Sequence, residues 1–174
     1  YHSGDGGKTW RELTSIGKEY ETYIQDIAVH PDAPRVLYAV YNGQNGKGGL
    51  YRSQDAGETW KLILKMSIAH VQTQRPNPGH VFAVGHSKSG DKTTMVLCGS
   101  PDGGDHWIKR PVPATWSNYC YSLAVHPADP NIIYIGAARM DKYRGMIYKT
   151  TNGGMNWRPI SYTGHSGDYP YSLA

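Results

Sequence analysis

Five carboxylates stand in loop-like stretches of this chain: Glu19, Glu21, Asp91, Asp141 and Asp168. Carboxylates in such places suggest acid–base hydrolysis of a glycosidic bond, which uses two of them about 5–10 Å apart across a cleft. No spacing in the chain pairs any two of the five, and they fall in different repeat units. Arg139 and Arg144 could hold an anionic group, but no full catalytic set assembles around them. Eight His and many Ser would permit a Ser–His–Asp arrangement by composition alone, which carries no geometric information. The His residues show no HExxH-like spacing, so neither a metal nor a cofactor is expected.

The carboxylates that do recur at fixed spacing belong to an eight-residue phrase. Its first three copies are built on Ser3, Asp5, Gly7 and Trp10; on Ser53, Asp55, Gly57 and Trp60; and on Ser100, Asp102, Gly104 and Trp107. A looser copy carries Thr150, Asn152, Gly154 and Trp157. The tryptophans lie 50, 47 and 50 residues apart, and a fixed period of this size marks a repeat architecture. Short Ser, Thr, Asp and Asn side chains accept hydrogen bonds from backbone N–H groups just ahead of them. Gly permits a positive φ, and Trp supplies a large apolar body to fold back over the turn. Strand-like runs flank each copy, so the phrase reads as a folded hairpin turn and these sixteen residues as turn-builders.

The pattern S-x-D-x-G-x-x-W between two strands resembles the Asp-box (BNR) repeat, and the resemblance covers essentially the whole chain. Asp boxes occur in sialidases, xyloglucan-cleaving hydrolases, sortilin-type receptors and photosystem II assembly factors. The resemblance implies that the box is structural and lies away from the ligand site. Asn152 in place of a carboxylate agrees with a structural role. An extracellular, periplasmic or cell-surface location is likewise what the resemblance implies.

Each unit offers four short strands, the size of one propeller blade. In the first full unit they are expected at 23–29, 36–41, 49–53 and 59–64; in the third, at 120–125, 132–137, 146–149 and 157–160. The predicted fold is all-β, a β-propeller of four-stranded antiparallel blades with Asp-box hairpins. Residues 1–174 form a single propeller segment: the outer half of a blade at 1–19, blades at 20–65, 66–111 and 112–161, and the first strand of another at 162–174. That makes three complete blades plus parts of two. Propellers close with about four to eight blades, so the missing part is expected from further blades of the same propeller or from self-association. The middle unit differs, reading Val71-Gln72-Thr73-Gln74 where its neighbours are apolar. Those polar residues could line a wet axial channel or mark a degenerate repeat.

Antiparallel order places the turns after first and third strands on one side, and the others on the opposite side. The boxes and the His-Pro turns share the first side. The second side collects the less repetitive stretches, at 14–22, 42–48, 66–70, 85–92, 111–119, 138–144 and 161–169, and variable loops on a rigid scaffold are the usual place for function. On that side Trp116, the one Trp outside a box, stands with Tyr119, Tyr143 and Tyr169. Aromatic faces with polar tips suit sugar rings or partner surfaces, and Arg139, Asp141 and Arg144 would add charged contacts. These aromatics could equally cover seams between blades.

A net charge of +4 with scattered basic residues excludes the dense basic patch that nucleic-acid binding needs. No run approaches the roughly 20 apolar residues of a membrane span. Cys98 and Cys120 fall on differently placed strands of neighbouring blades, so buried thiols are expected rather than a disulfide. The expected function is a non-catalytic binding or scaffold module that recognises a protein or glycan through its loop face. The alternative is part of a secreted glycoside hydrolase whose other blades complete the catalytic set.

Overall fold

A computed structural model describes residues 1–13, 23–43, 48–75, 77–114, 119–139 and 144–162. Among them every regular element is a strand, and the strands form three four-stranded sheets. The first sheet holds β1 (Tyr23–Val29), β2 (Leu37–Asn42), β3 (Gly49–Ser53) and β4 (Lys61–Leu64). The second holds β5 (Ser67–Thr73), β6 (Val81–Ser89), β7 (Lys92–Ser100) and β8 (Ile108–Pro111). The third holds β9 (Tyr119–Val125), β10 (Ile133–Arg139), β11 (Arg144–Thr150) and β12 (Arg158–Tyr162). Each runs as an antiparallel meander in chain order, the blade of a propeller. Before them, His2 and Arg11 form an isolated antiparallel bridge across the first box.

Alternation along the strands explains how the sheets stack. Successive strand residues point to opposite faces. On β6, Val81 and Ala83 enter a core shared with Tyr38, Val40 and Leu50 of the first sheet. Phe82 and Val84 enter a second core with Ile133, Ile135 and Ala137 of the third sheet. The middle sheet is thus covered on both faces, which is why the inner parts of β6 (Val81–Val84) and β7 (Met95–Cys98) read as continuous apolar runs.

The first strand of every sheet carries a bulge at the same place. The register skips Gln25 on β1, Ala69 on β5 and Tyr121 on β9. An extra residue there re-aims the side chains that follow it.

Several expected boundaries move. Residues 85–92 form no loop: β6 and β7 stay paired out to Ser89↔Lys92 around Gly90, whose φ is 57°. A positive φ at the first of two turn residues suits a tight hairpin, and the alternating Ser, Lys and Thr side chains let the ribbon project into solvent. Residues 67–70 likewise belong to β5, because their apolar members Ile68 and Ala69 are buried. In the first sheet, the second strand runs to Asn42 and the fourth starts at Lys61, after the box. The third sheet's strands extend to Tyr119–Val125, Ile133–Arg139, Arg144–Thr150 and Arg158–Tyr162.

Candidate functional site

The boxes use up their carboxylates locally. In the second box, Ser53 Oγ donates to Asp55 Oδ1 at 2.8 Å and accepts the Gly57 N–H at 2.8 Å. Asp55 accepts from the Thr59 N–H at 2.9 Å and the Thr59 hydroxyl at 2.5 Å. Trp60 Nε1 donates to the Gly57 carbonyl at 3.0 Å. Ser3, Asp5, Gly7 and Trp10 repeat this set, as do Ser100, Asp102, Gly104 and Trp107. In the third box His106 Nδ1 takes the hydroxyl's place, 2.6 Å from Asp102 Oδ2. Bonds from the Thr9 or Thr59 side chain and N–H, then from Ser3 or Ser53, hold the Asp5 and Asp55 pKa at about 2. His106 and Ser100 push Asp102 down further still. Carboxylates so firmly ionised make poor proton carriers near neutral pH.

The fourth box keeps the geometry without the charge. Thr150 Oγ1 donates to Asn152 Oδ1 at 2.9 Å and accepts the Gly154 N–H at 2.9 Å, while Asn156 N–H donates to Asn152 Oδ1 at 2.9 Å. Trp157 Nε1 differs from its counterparts: it is buried and has no hydrogen-bond partner among the described residues.

The second, third and fourth boxes also join a turn of their own sheet, and the last two meet the preceding sheet. The N–H groups of Ala56, Gly103 and Gly153 donate to the carbonyls of Arg35, Gly79 and Asn131 at the turn of their own sheet. This places boxes and first-strand turns on one face. Across the seam, Tyr38 Oη and Arg52 Nη1 donate to the Gly103 carbonyl at 3.1 and 2.9 Å. Arg52 also pairs with Asp105 at 2.9 Å. Arg110 Nη1 donates to the Gly153 carbonyl of the third sheet at 2.8 Å. A Cβ on Gly104 would lie 2.5 Å from Ile63 Cδ1, and φ there is 100°, so only Gly meets both demands.

The innermost strands present a polar group that the sequence reading passed over. Asp26, which follows the bulge of β1, accepts the Val71 N–H at 3.0 Å and lies 3.3 Å from His70 Nδ1. Burial raises its pKa, but bonds from His70, Val71 and Ile27 outweigh this and leave it below the ordinary 3.8. Asp26 shares the half-buried face of β1 with Ala28 and alternates with the exposed Ile27 and Val29, an ordinary strand pattern. Only the bulge and the neighbouring sheet reveal it.

The polar run on β5 performs the same kind of bridging. Gln72 Oε1 accepts the Val125 N–H at 2.8 Å, Thr73 donates to the Val29 carbonyl at 2.9 Å, and Gln74 donates to the His126 carbonyl at 2.9 Å. Gln74 is only 2% exposed. Gln72, Thr73 and Gln74 therefore tie β5 to both neighbouring first strands.

On the face opposite the boxes, Tyr119 opens β9 and is 52% exposed. Its ring stacks on Tyr121 with centroids 6.2 Å apart. Arg139 and Arg144 are register partners at the end of the β10–β11 ladder, one rung beyond the Ala138 that pairs with Tyr119. The fold thus brings Tyr119, Arg139 and Arg144 to one end of the third sheet. Trp116, Asp141, Tyr143 and Tyr169 lie outside the described residues, as do Glu19, Glu21 and Asp168. Among the described residues no three His, Cys, Asp or Glu side chains gather as metal ligands. Cys98 and Cys120 are free, buried thiols. Burial pushes them up to about 11 and about 12, respectively.

A family model for Sortilin-Vps10 (sortilin, neurotensin receptor 3) matches residues 48–169. A xyloglucanase from a Paenibacillus species is 26% identical over 95% of this chain, and xyloglucanase Xgh74A of Acetivibrio thermocellus is 25% identical over 91%. The chain spans only 14% and 15% of those two proteins. Among solved structures, the GH74 enzyme of Niastella koreensis aligns over 86% of this chain and 24% of its own, with TM-score 0.64 and 20% identity. YCF48 from Cyanidioschyzon merolae aligns over 80% and 37%, with TM-score 0.57 and 21% identity. These likenesses carry the propeller fold.

Proposed function

The chain belongs to the Sortilin-Vps10 family, and from that premise we propose that it is a non-catalytic, glycan-recognising portion of an exported propeller. The observation that carries this reading is the fate of the carboxylates. Among the described residues, Asp5, Asp55 and Asp102 are bound within turns. Asp26 and Asp105 are bound in seams, and Glu58 pairs with Arg11. What the loop face offers is a stacked tyrosine pair beside a two-arginine hairpin end, a surface suited to a sugar ring and its hydroxyls. Relatives named xyloglucanases favour a plant-type polysaccharide as the partner.

The test uses the full-length protein in affinity electrophoresis through xyloglucan. Tyr119→Ala, Trp116→Ala and Arg139→Ala should each weaken retardation several-fold. Equal retardation of all three and the parent would overturn the reading.

The xyloglucanase relatives also favour a second reading, in which the whole protein releases sugar and this portion contributes a carboxylate. Replacing Asp91, Asp141 or Asp168 by Asn would then abolish release. If release survives all three changes, the chemistry lies in other blades and this portion keeps its binding role.

A further inference from the structure

The third sheet carries, on its outward face, the same set of side chains with which the first sheet holds the box of its neighbour. In the first sheet, Tyr38 and Arg52 are register partners, and Ile63 follows three residues after the box tryptophan. All three meet the third box. The Tyr38 hydroxyl and Arg52 Nη1 donate to the Gly103 carbonyl, and Ile63 stands against the Cα side of Gly104 where a Cβ would project. In the third sheet the same positions hold Tyr134, Lys149 and Ile160. Ile133, Ile135 and Ala137 of β10 enter the core shared with the second sheet, and alternation sends Tyr134 to the opposite face. On that face the set holds no box among the described residues. Lys149 Nζ instead lies 5.1 Å from the centroid of the Tyr134 ring, a cation–π contact, and Ile160 is 46% exposed.

Charge narrows the occupant. The residue after the box glycine is acidic where the preceding unit offers it a cation: Glu58 pairs with Arg11, and Asp105 with Arg52. Where the preceding sheet has Gly99 in place of Arg52, that residue is the uncharged Met155. Lys149 restores the cation. We propose that the outward face of the third sheet is a docking site for a further Asp-box turn whose glycine is followed by an acid, supplied by another repeat of the same polypeptide. The carbonyl before that glycine accepts from the Tyr134 hydroxyl and from Lys149, which leaves the Tyr134 ring to reach it. The glycine seats on Ile160, and the acid pairs with Lys149. The first box of a second copy is the wrong occupant. It presents Lys8 at the acid's position, and like charges brought together oppose docking. The length of the relatives, of which this chain spans 14% and 15%, accommodates such a repeat. The site is independent of the glycan reading.

The experiment is photo-crosslinking of the full-length protein carrying Tyr134→p-benzoylphenylalanine, with the captured peptide identified by mass spectrometry. Tyr38→p-benzoylphenylalanine is the reference and should capture the peptide around Gly103. Expected from position 134 is an intramolecular crosslink to one peptide outside residues 1–174, with the box spacing and an acid after its glycine. Lys149→Glu should lower that capture about fivefold, because a like charge then meets the acid, and Lys149→Arg should leave it unchanged. Should the Tyr134 variant misfold, the same photoreactive residue at the exposed Ile160 takes its place. Four outcomes would overturn the proposal: capture of Ser3–Trp10, capture of a peptide without box spacing, capture of a box lacking the acid, or no capture while position 38 captures its own.

Discussion

At the residue scale, a box is held by one buried hydroxyl and one exposed carboxylate, which should fail in different ways. Ser53 is 1% exposed, and its oxygen accepts the buried Gly57 N–H. Ser53→Ala leaves that donor unpaired and should cost about 1–3 kcal/mol in urea unfolding; a loss below a few tenths would contradict the geometry. The carboxylates act through pH. Asp5 and Asp55 are depressed from 3.8 to about 2 in the folded chain. Their contribution is therefore complete above about pH 4 and is lost as pH falls through about 2. Melting temperature should decline across that window, and Asp55→Asn, which copies the uncharged Asn152 box, should flatten part of the decline. His106 is raised above 6.5 by Asp102, so its smaller contribution is present below 6.5 and fades as pH rises through the raised value.

At the scale of elements, what could be read from the sequence was whatever is encoded within a few residues. The boxes were legible because Ser53, Asp55, Gly57 and Trp60 bond to one another and to Thr59 within eight residues. The four-strand rhythm followed from the box period. Seams were not legible. Arg52 meets Gly103 across 51 positions and Gln74 meets His126 across 52, and no local spacing announces such partners. Gln72, Thr73 and Gln74 looked out of place for that reason. The hairpin at 85–92 was mistaken for a loop because solvent-facing Ser, Lys and Thr resemble loop composition, although they pair to its tip. The thiols test the seams directly. Cys98 lies in the core between the first two sheets and Cys120 in the next. Both should resist iodoacetamide in the folded protein and react promptly in urea. Alkylation at equal rates in both conditions would mean that the seams open readily.

For the whole molecule, the first strand of the first sheet exposes Tyr23 (62%), Ile24, Ile27 and Val29. Apolar strand faces of this kind are covered in a closed propeller by the adjacent blade. Residues 1–174 produced alone should therefore associate with themselves, or with added neighbouring blades, in sedimentation experiments. A stable monomer that binds no hydrophobic dye would show that the strand needs no cover. This chain spans only 14% and 15% of the xyloglucanases that it resembles.

The arginine bonds across the seams also have a direction. Arg52 reaches forward to Gly103 and Arg110 forward to Gly153, each sheet's cation capping a carbonyl in the sheet that follows. Cutting the repeat from its C-terminal side strips these acceptors and strands a cation on the sheet left behind. Cutting from the N-terminal side removes a cation and leaves a carbonyl that water can satisfy. The two ends of the array are therefore not equivalent under truncation, and during synthesis Arg52 and Arg110 find their acceptors only after the next sheet has emerged.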